Sequence, residues 1–214
     1  HILTIQTVLI HAGAGGVGLA AIQICRYLQA EIYVTVGSEE KRRFLRTEYG
    51  IPEDRMFSSG SISFATDLMR ATNGRGADVI LNSLTGDMLH ESWRCLAPNG
   101  NFIEIGKKDL LDRNSISLAP FSHNASYRSF DLSLKAVSLP TFDRLLKQIF
   151  AFVNDGITKP LPICKTFSFG DIADAFRYMR DGKHIGKIVV SDENRDDVRV
   201  PVRPSTPHSL LRPD

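Results

Sequence analysis

The chain has 214 residues, 43% of them apolar and 23% charged, with 26 basic and 24 acidic side chains for a formal net charge of +2. These are ordinary globular proportions, enough for one large domain or a domain with an appendage, and they give no electrostatic case for nucleic acid or a membrane surface. The three cysteines, Cys25, Cys95 and Cys164, form no CxxC pair, so they read as thiols of a reducing, cytoplasmic setting rather than as a disulfide frame or a metal cage.

Val8 to His11 is a short β-type run feeding into a glycine turn, Gly13-x-Gly15-x-x-Gly18, which opens an Ala/Ile/Leu-rich helix running to about Leu28. That is the pattern of a phosphate-binding turn in strand–turn–helix context, though a plain surface turn can share it. Gly13 supports the tight turn, Gly15 admits a pyrophosphate close to the main chain, and Gly18 lets the helix pack on the strand. The N–H groups at the helix start, among them those of Gly16 and Val17, then face the phosphates. His11, at the strand end, is expected to pack.

Glu31–Val36 reads as a second strand, and Ser38 followed by Glu39 and Glu40 caps a helix ending near Gly50. Met56–Ser58 is a weak third strand, 64–71 a helix stopped at Asn73-Gly74, Ala77–Leu81 a fourth strand, and 87–96 a helix stopped by Pro98 and Gly100. Residues 101–105 form a fifth strand, 126–132 a sixth, and 141–153 a helix. This alternation predicts an α/β fold with a doubly wound parallel sheet over residues 1–156. Beyond Gly156 the pattern changes. A strand-like segment, 165–169, precedes an amphipathic helix, 170–180, with Ile172, Ala173, Phe176 and Met179 on its apolar face, and a short strand, 188–190. Residues 193–214 are charged and proline-rich, as in a linker. No membrane span is expected, because the low-charge run from Val8 to Cys25 is broken by His11 and glycines. The chain does not open on Met and is read as a piece of something longer.

The end of the second strand bears on cofactor choice. An NAD enzyme places an acid there, about 20 residues beyond the turn, for the ribose 2′-hydroxyl. Here stand Gly37 and Ser38, with Lys41, Arg42 and Arg43 following. Small residues then cations suit a 2′-phosphate, so NADPH is preferred, with Ser38 and Lys41 as its contacts. An ordinary helix start with surface charge is the alternative.

The run Val-Leu-Ile-His-Ala-Gly-Ala-Gly-Gly-Val-Gly (8–18) resembles medium-chain reductases of the quinone reductase branch. Segments 35–42, Val-Ile-Leu-Asn-Ser-Leu (79–84), 94–100, Phe-Ile-Glu-Ile-Gly-Lys (102–107) and 176–190, in this order, resemble the enoyl reductase domain of fatty acid synthases and highly reducing polyketide synthases. The resemblance covers about residues 7 to 192. It implies a Rossmann domain followed, over 157–192, by the returning C-terminal remnant of a GroES-like substrate domain, whose absent half would leave apolar surface exposed. It also implies NADPH-dependent reduction of an α,β-enoyl thioester on an acyl carrier protein, a ketoreductase domain downstream of the tail, and a homodimeric parent. Lys107 and Asp131 match the proposed acid candidates. Asn82, Ser83, Leu84, Ile105 and Gly106 match cofactor contacts at strand ends, and His184, Ile185 and Gly186 match the loop at the nicotinamide end. No metal is implied. A solvated loop cation at Lys107 and a structural carboxylate at Asp131 remain open, as do a free-standing quinone or enone reductase and a cofactor-binding remnant without turnover.

Overall fold

The computed structural model describes residues 6–131 and 138–192. The expected end of the sixth strand at Leu132 and the linker over 193–214 lie outside the described residues.

Six strands form one parallel sheet: β1 (Thr7–Ile10), β2 (Glu31–Val36), β3 (Met56–Ser58), β4 (Ala77–Asn82), β5 (Leu96–Glu104) and β6 (Ser126–Ser129), in the order β3-β2-β1-β4-β5-β6. The helices between them are α1 (Gly16–Tyr27), α2 (Glu39–Tyr49), α3 (Ser63–Ala71), α4 (Asp87–Arg94) and the short α5 (Lys108–Leu111), with α6 (Leu139–Asn154) after β6. This is the Rossmann order, with its switch point between β1 and β4. Alternation along β1 explains how one short strand serves two cores. Leu9 belongs to a cluster with Phe64, Leu68, Ile80, Trp93 and Phe102. Val8 and Ile10 join Leu19, Ile22, Val34 and Leu45 in another.

Local chemistry sets the helix ends. The Ser38 hydroxyl caps α2 by accepting the Lys41 N–H at 3.3 Å. Gly50 closes the same helix in the left-handed region at φ 58°, its N–H bonded to Arg46 O. One expected boundary differs. Pro98 and Gly100 do not simply end α4: they lie inside β5, which starts at Leu96. Pairing with β4 jumps from Ala77↔Leu96 to Val79↔Asn101, and Asn99 takes φ 61°. The extra residues bulge out, which lets a strand pass through proline and glycine without losing register beyond them.

The described chain divides into two compact units. One holds the residues up to Pro162 with Ile185–Lys187, and the other holds Ile163–His184 and the residues from Ile188 onward. The second contains a two-stranded sheet of β7 (Ile163–Ser168) and β8 (Lys187–Ser191) with α7 (Ile172–Arg180). The apolar face of its helix is open to solvent, with Ile172, Phe176 and Met179 at 42%, 60% and 51% exposure while Ala175 is buried, in line with the apolar surface expected to be exposed over 157–192. Two strands and one helix supply no further layer to cover that stripe. Among the described residues no helix is long and apolar enough to cross a membrane.

Candidate active site

The carboxyl ends of parallel strands are where an open α/β sheet presents a crevice, at the switch point between β1 and β4. The glycine turn opens there. Gly13 N–H donates to Thr35 O at 3.0 Å and Gly15 N–H to Ala12 O at 2.9 Å, which folds the turn back on β2. Gly18 is dictated by close approach, because a Cβ there would lie 2.6 Å from the carbonyl oxygens of both Ala12 and Gly13. Gly15 is the N-cap of α1, with no side-chain cap and no acid in the first turn. The helix therefore starts with unsatisfied N–H groups and an uncompensated partial positive charge, the arrangement that takes a phosphate.

A strap crosses this turn. Gly186 pairs with Gly15 in a parallel bridge and its N–H donates to Ala14 O at 3.0 Å. At φ 75°, with a would-be Cβ only 2.3 Å from Pro162 O, position 186 accepts glycine alone. Ile185 packs against the core cluster under α1. His184 belongs to the second unit, where its ring centroid lies 6.4 Å from that of Tyr178. The expected trio is thus divided, with Ile185 and Gly186 at the turn. The matched loop ends on Lys187, whose place over the glycine turn the sequence did not give away. Lys187 Nζ lies 3.2 Å from where a Cβ of Gly16 would be, over the start of α1. The Gly-Lys pair ending the loop was the available signal.

At the end of β2, the Ser38 hydroxyl accepts from the Lys41 amide, so capping and a phosphate contact are compatible: the O–H hydrogen remains to donate. The Lys41 ammonium is half-buried, and desolvation lowers its pKa against the opposing effect of Glu40. A second hydroxyl, which the sequence did not single out, joins them. Ser59 Oγ lies 3.1 Å from where a Cβ of Gly37 would stand, held by its own N–H to Val36 O at 3.0 Å.

The ends of β4 and β5 meet beside the switch point. Asn82 is fully buried, its Oδ1 accepting the Leu84 N–H at 3.3 Å and its Nδ2 donating to Leu84 O at 2.9 Å, which folds Ser83 and Leu84 into a turn. Ile105 N–H donates to Asn82 O at 3.0 Å, and Gly106 N–H donates to the Glu104 carboxylate at 2.5 Å. Just beyond, Lys107 Nζ and Asp131 Oδ1 are 2.8 Å apart, the lysine side chain 48% exposed and the aspartate 18%. The two acid candidates therefore stand together at the sheet edge, one after β5 and one after β6. The contact fixes the direction of a half-exposed ammonium.

Fold and site together define a Rossmann-type α/β domain of the medium-chain dehydrogenase kind. The chain belongs to the zinc-binding dehydrogenase family, whose model matches residues 54–190. It is 50% identical over 205 residues to a highly reducing polyketide synthase of Eupenicillium brefeldianum, covering 96% of this chain and 9% of that synthase. Among solved structures it is similar to the CurK enoyl reductase, with 39% identity and a TM-score of 0.76, covering 89% of this chain and 55% of that one. The nucleotide-binding subdomain of the enoyl reductase domain of PpsC from Mycobacterium tuberculosis matches at 39% identity and a TM-score of 0.66, covering 72% of this chain and 86% of that one. The chain is an enoyl-reductase-like domain of the polyketide synthase kind, spanning a small part of such synthases. The family description names zinc, but among the described residues no three His, Cys, Asp or Glu side chains converge. Cys25, Cys95 and Cys164 stand apart as free thiols. That donor set does not fit a metal centre, and no step below runs through one.

Proposed function

We propose that the chain contributes the cofactor-binding and proton-donating part of an NADPH-dependent reductase acting on an α,β-enoyl thioester carried by an acyl carrier protein. The observation that carries this is the Lys107–Asp131 pair, 2.8 Å apart at the same carboxyl end of the parallel sheet as the uncapped glycine turn. The residues fit a dinucleotide end to end. The amides of Gly16 and Val17 and the Lys187 ammonium would hold the diphosphate. Ser38, Lys41 and Ser59 would hold the 2′-phosphate, and Ser83, Leu84, Ile105 and Gly106 would line the nicotinamide end. Bound there, NADPH supplies a hydride to the β-carbon of the enoyl group. Lys107, oriented by Asp131, stabilises the negative charge that develops toward the thioester oxygen and gives its proton to the α-carbon.

NADPH fluorescence titration of the purified chain, with a crotonyl-thioester assay alongside, tests the reading. Binding of NADPH in clear preference to NADH is expected. No binding, or tighter binding of NADH, would remove the assignment. A second reading, binding without efficient turnover, applies to the chain in isolation. The exposed Ile172, Phe176 and Met179 stripe on α7 favours it, because a unit that leaves such a face open lacks part of an acyl-binding wall.

A further inference from the structure

Glu104 is 2% exposed, a carboxylate inside the protein at the end of β5, and no role in the chemistry above falls to it. Both of its oxygens are occupied by donors. Oε2 receives Asn82 Nδ2 at 2.6 Å and Oε1 receives the Gly106 N–H at 2.5 Å. Its backbone oxygen receives the Phe130 N–H at 2.9 Å, immediately before Asp131. The packing leaves no slack, since a Cβ on Gly106 would lie 2.7 Å from Glu104 Oε1 and 3.7 Å from Ser83 O. One residue thus ties together the turn after β4, the turn after β5 that carries Lys107, and the segment after β6 that carries Asp131.

We infer that Glu104 is a positioning residue that clamps these three strand ends into the cradle for the reacting half of the cofactor and fixes the direction in which Lys107 leaves the sheet. A buried carboxylate is costly, and here desolvation raises its pKa while the bonds from Asn82 and Gly106 oppose that rise. A neutral side chain cannot do the same work. Glutamine offers one acceptor and one amino group, so one of the two facing N–H donors would meet another donor. The carboxylate is the group of this length that accepts from both sides at once. Asp109, whose carboxylate accepts from the Gly86 N–H, and Tyr127, whose hydroxyl pKa is pushed up to about 12, are the titratable neighbours of the charge. Neither is a cation, so the N–H groups of Asn82, Gly106 and, to a lesser extent, Ile105 are what steady it.

The inference rests on the carboxyl end of the sheet being the cofactor site, and ligand halves separate the two. The purified chain is titrated with NADPH and with 2′,5′-ADP, which carries the adenosine end alone, and melting temperature is recorded in parallel. In E104Q, NADPH affinity is expected to fall about tenfold, the scale of one lost charged hydrogen bond, while 2′,5′-ADP affinity holds. Loss through general destabilisation would weaken both ligands together. An unchanged NADPH to 2′,5′-ADP affinity ratio in E104Q overturns the clamp while leaving the cofactor site standing. Failure of the unsubstituted chain to bind either ligand overturns both.

Discussion

The imidazole Nδ1 of His11 stands 3.1 Å from the hydroxyl of Thr35, which also accepts the Ala12 N–H at 3.2 Å. On the far side of the ring, Nε2 lies 2.9 Å from Ser92 Oγ, whose hydrogen goes to Met88 O at 2.7 Å. The neutral Nε2–H tautomer satisfies every one of these groups. A buried chain of hydrogen bonds therefore runs from α4 through the end of β1 to the first residue of the glycine turn. His11 packs, as expected, with its ring edge-on to Phe64, and it also braces the turn.

Burial lowers the His11 pKa to about 3. The folded protein holds this side chain neutral, whereas the unfolded chain protonates near its ordinary value. The resulting stability is fully present above about pH 6.5 and is lost as pH falls from there toward about 3, on the order of 5 kcal/mol at the acid end. Urea unfolding at a series of pH values should show this slope in the native sequence and a flatter one in His11→Gln. Equal slopes would mean that His11 is not the group taking up the proton.

Lys187 and Lys41 meet different parts of the cofactor in the proposed arrangement. Lys187→Met should weaken NADPH and NADH by the same factor, about tenfold, because both carry the diphosphate. Lys41→Met should weaken NADPH by about tenfold and leave NADH unaffected, because only NADPH carries the 2′-phosphate. Titration of both variants with both cofactors reads the two factors directly.

Lys107→Ala, placed in an intact reductase domain, should slow enoyl thioester reduction by about a hundredfold or more, the range of a lost general acid. Its NADPH affinity should stay within about twofold, since the diphosphate and 2′-phosphate contacts lie elsewhere. Turnover at the native rate in stopped-flow measurements would take Lys107 out of the chemistry.

Gly18→Ala places a methyl 2.6 Å from two carbonyl oxygens of the turn. Backbone must move to relieve it, at a cost of about 1–3 kcal/mol. A lower melting temperature together with loss of NADPH binding is the expected result. Unchanged binding would mean that the turn tolerates displacement and does not grip the diphosphate.

The exposed stripe on α7 should make the chain self-associate or bind a hydrophobic dye. Replacing Phe176 and Met179, at 60% and 51% exposure, with serine should reduce either signal. Analytical ultracentrifugation of both forms, at matched concentration, measures it.

Local signals were legible along the chain. The glycine turn, the Ser38 cap, the Gly50 stop and the bounds of β2 and β3 follow from short-range sterics and capping, which a few neighbouring residues determine. The end of α4 and the start of β5 did not, because a bulge at Asn99 is stabilised by pairing with β4 rather than by its own sequence. Lys107 and Asp131 came from family resemblance, and their ion pair is a product of the sheet, since β5 and β6 had to lie side by side before the two loops could meet.

From its sequence alone, this protein disclosed an alternating α/β chain with a glycine turn between a strand and a helix and with a serine-capped, cation-bearing helix after β2, because propensity, capping and glycine sterics act within a few residues. The tertiary structure alone decided that Lys187 lies over Gly16, that Glu104 gathers three strand ends, and which side chains of α7, Ile172, Phe176 and Met179, stand in the open. Those are properties of distant segments brought together or left uncovered, and a hydrogen bond or a buried face exists only once its partner has been placed.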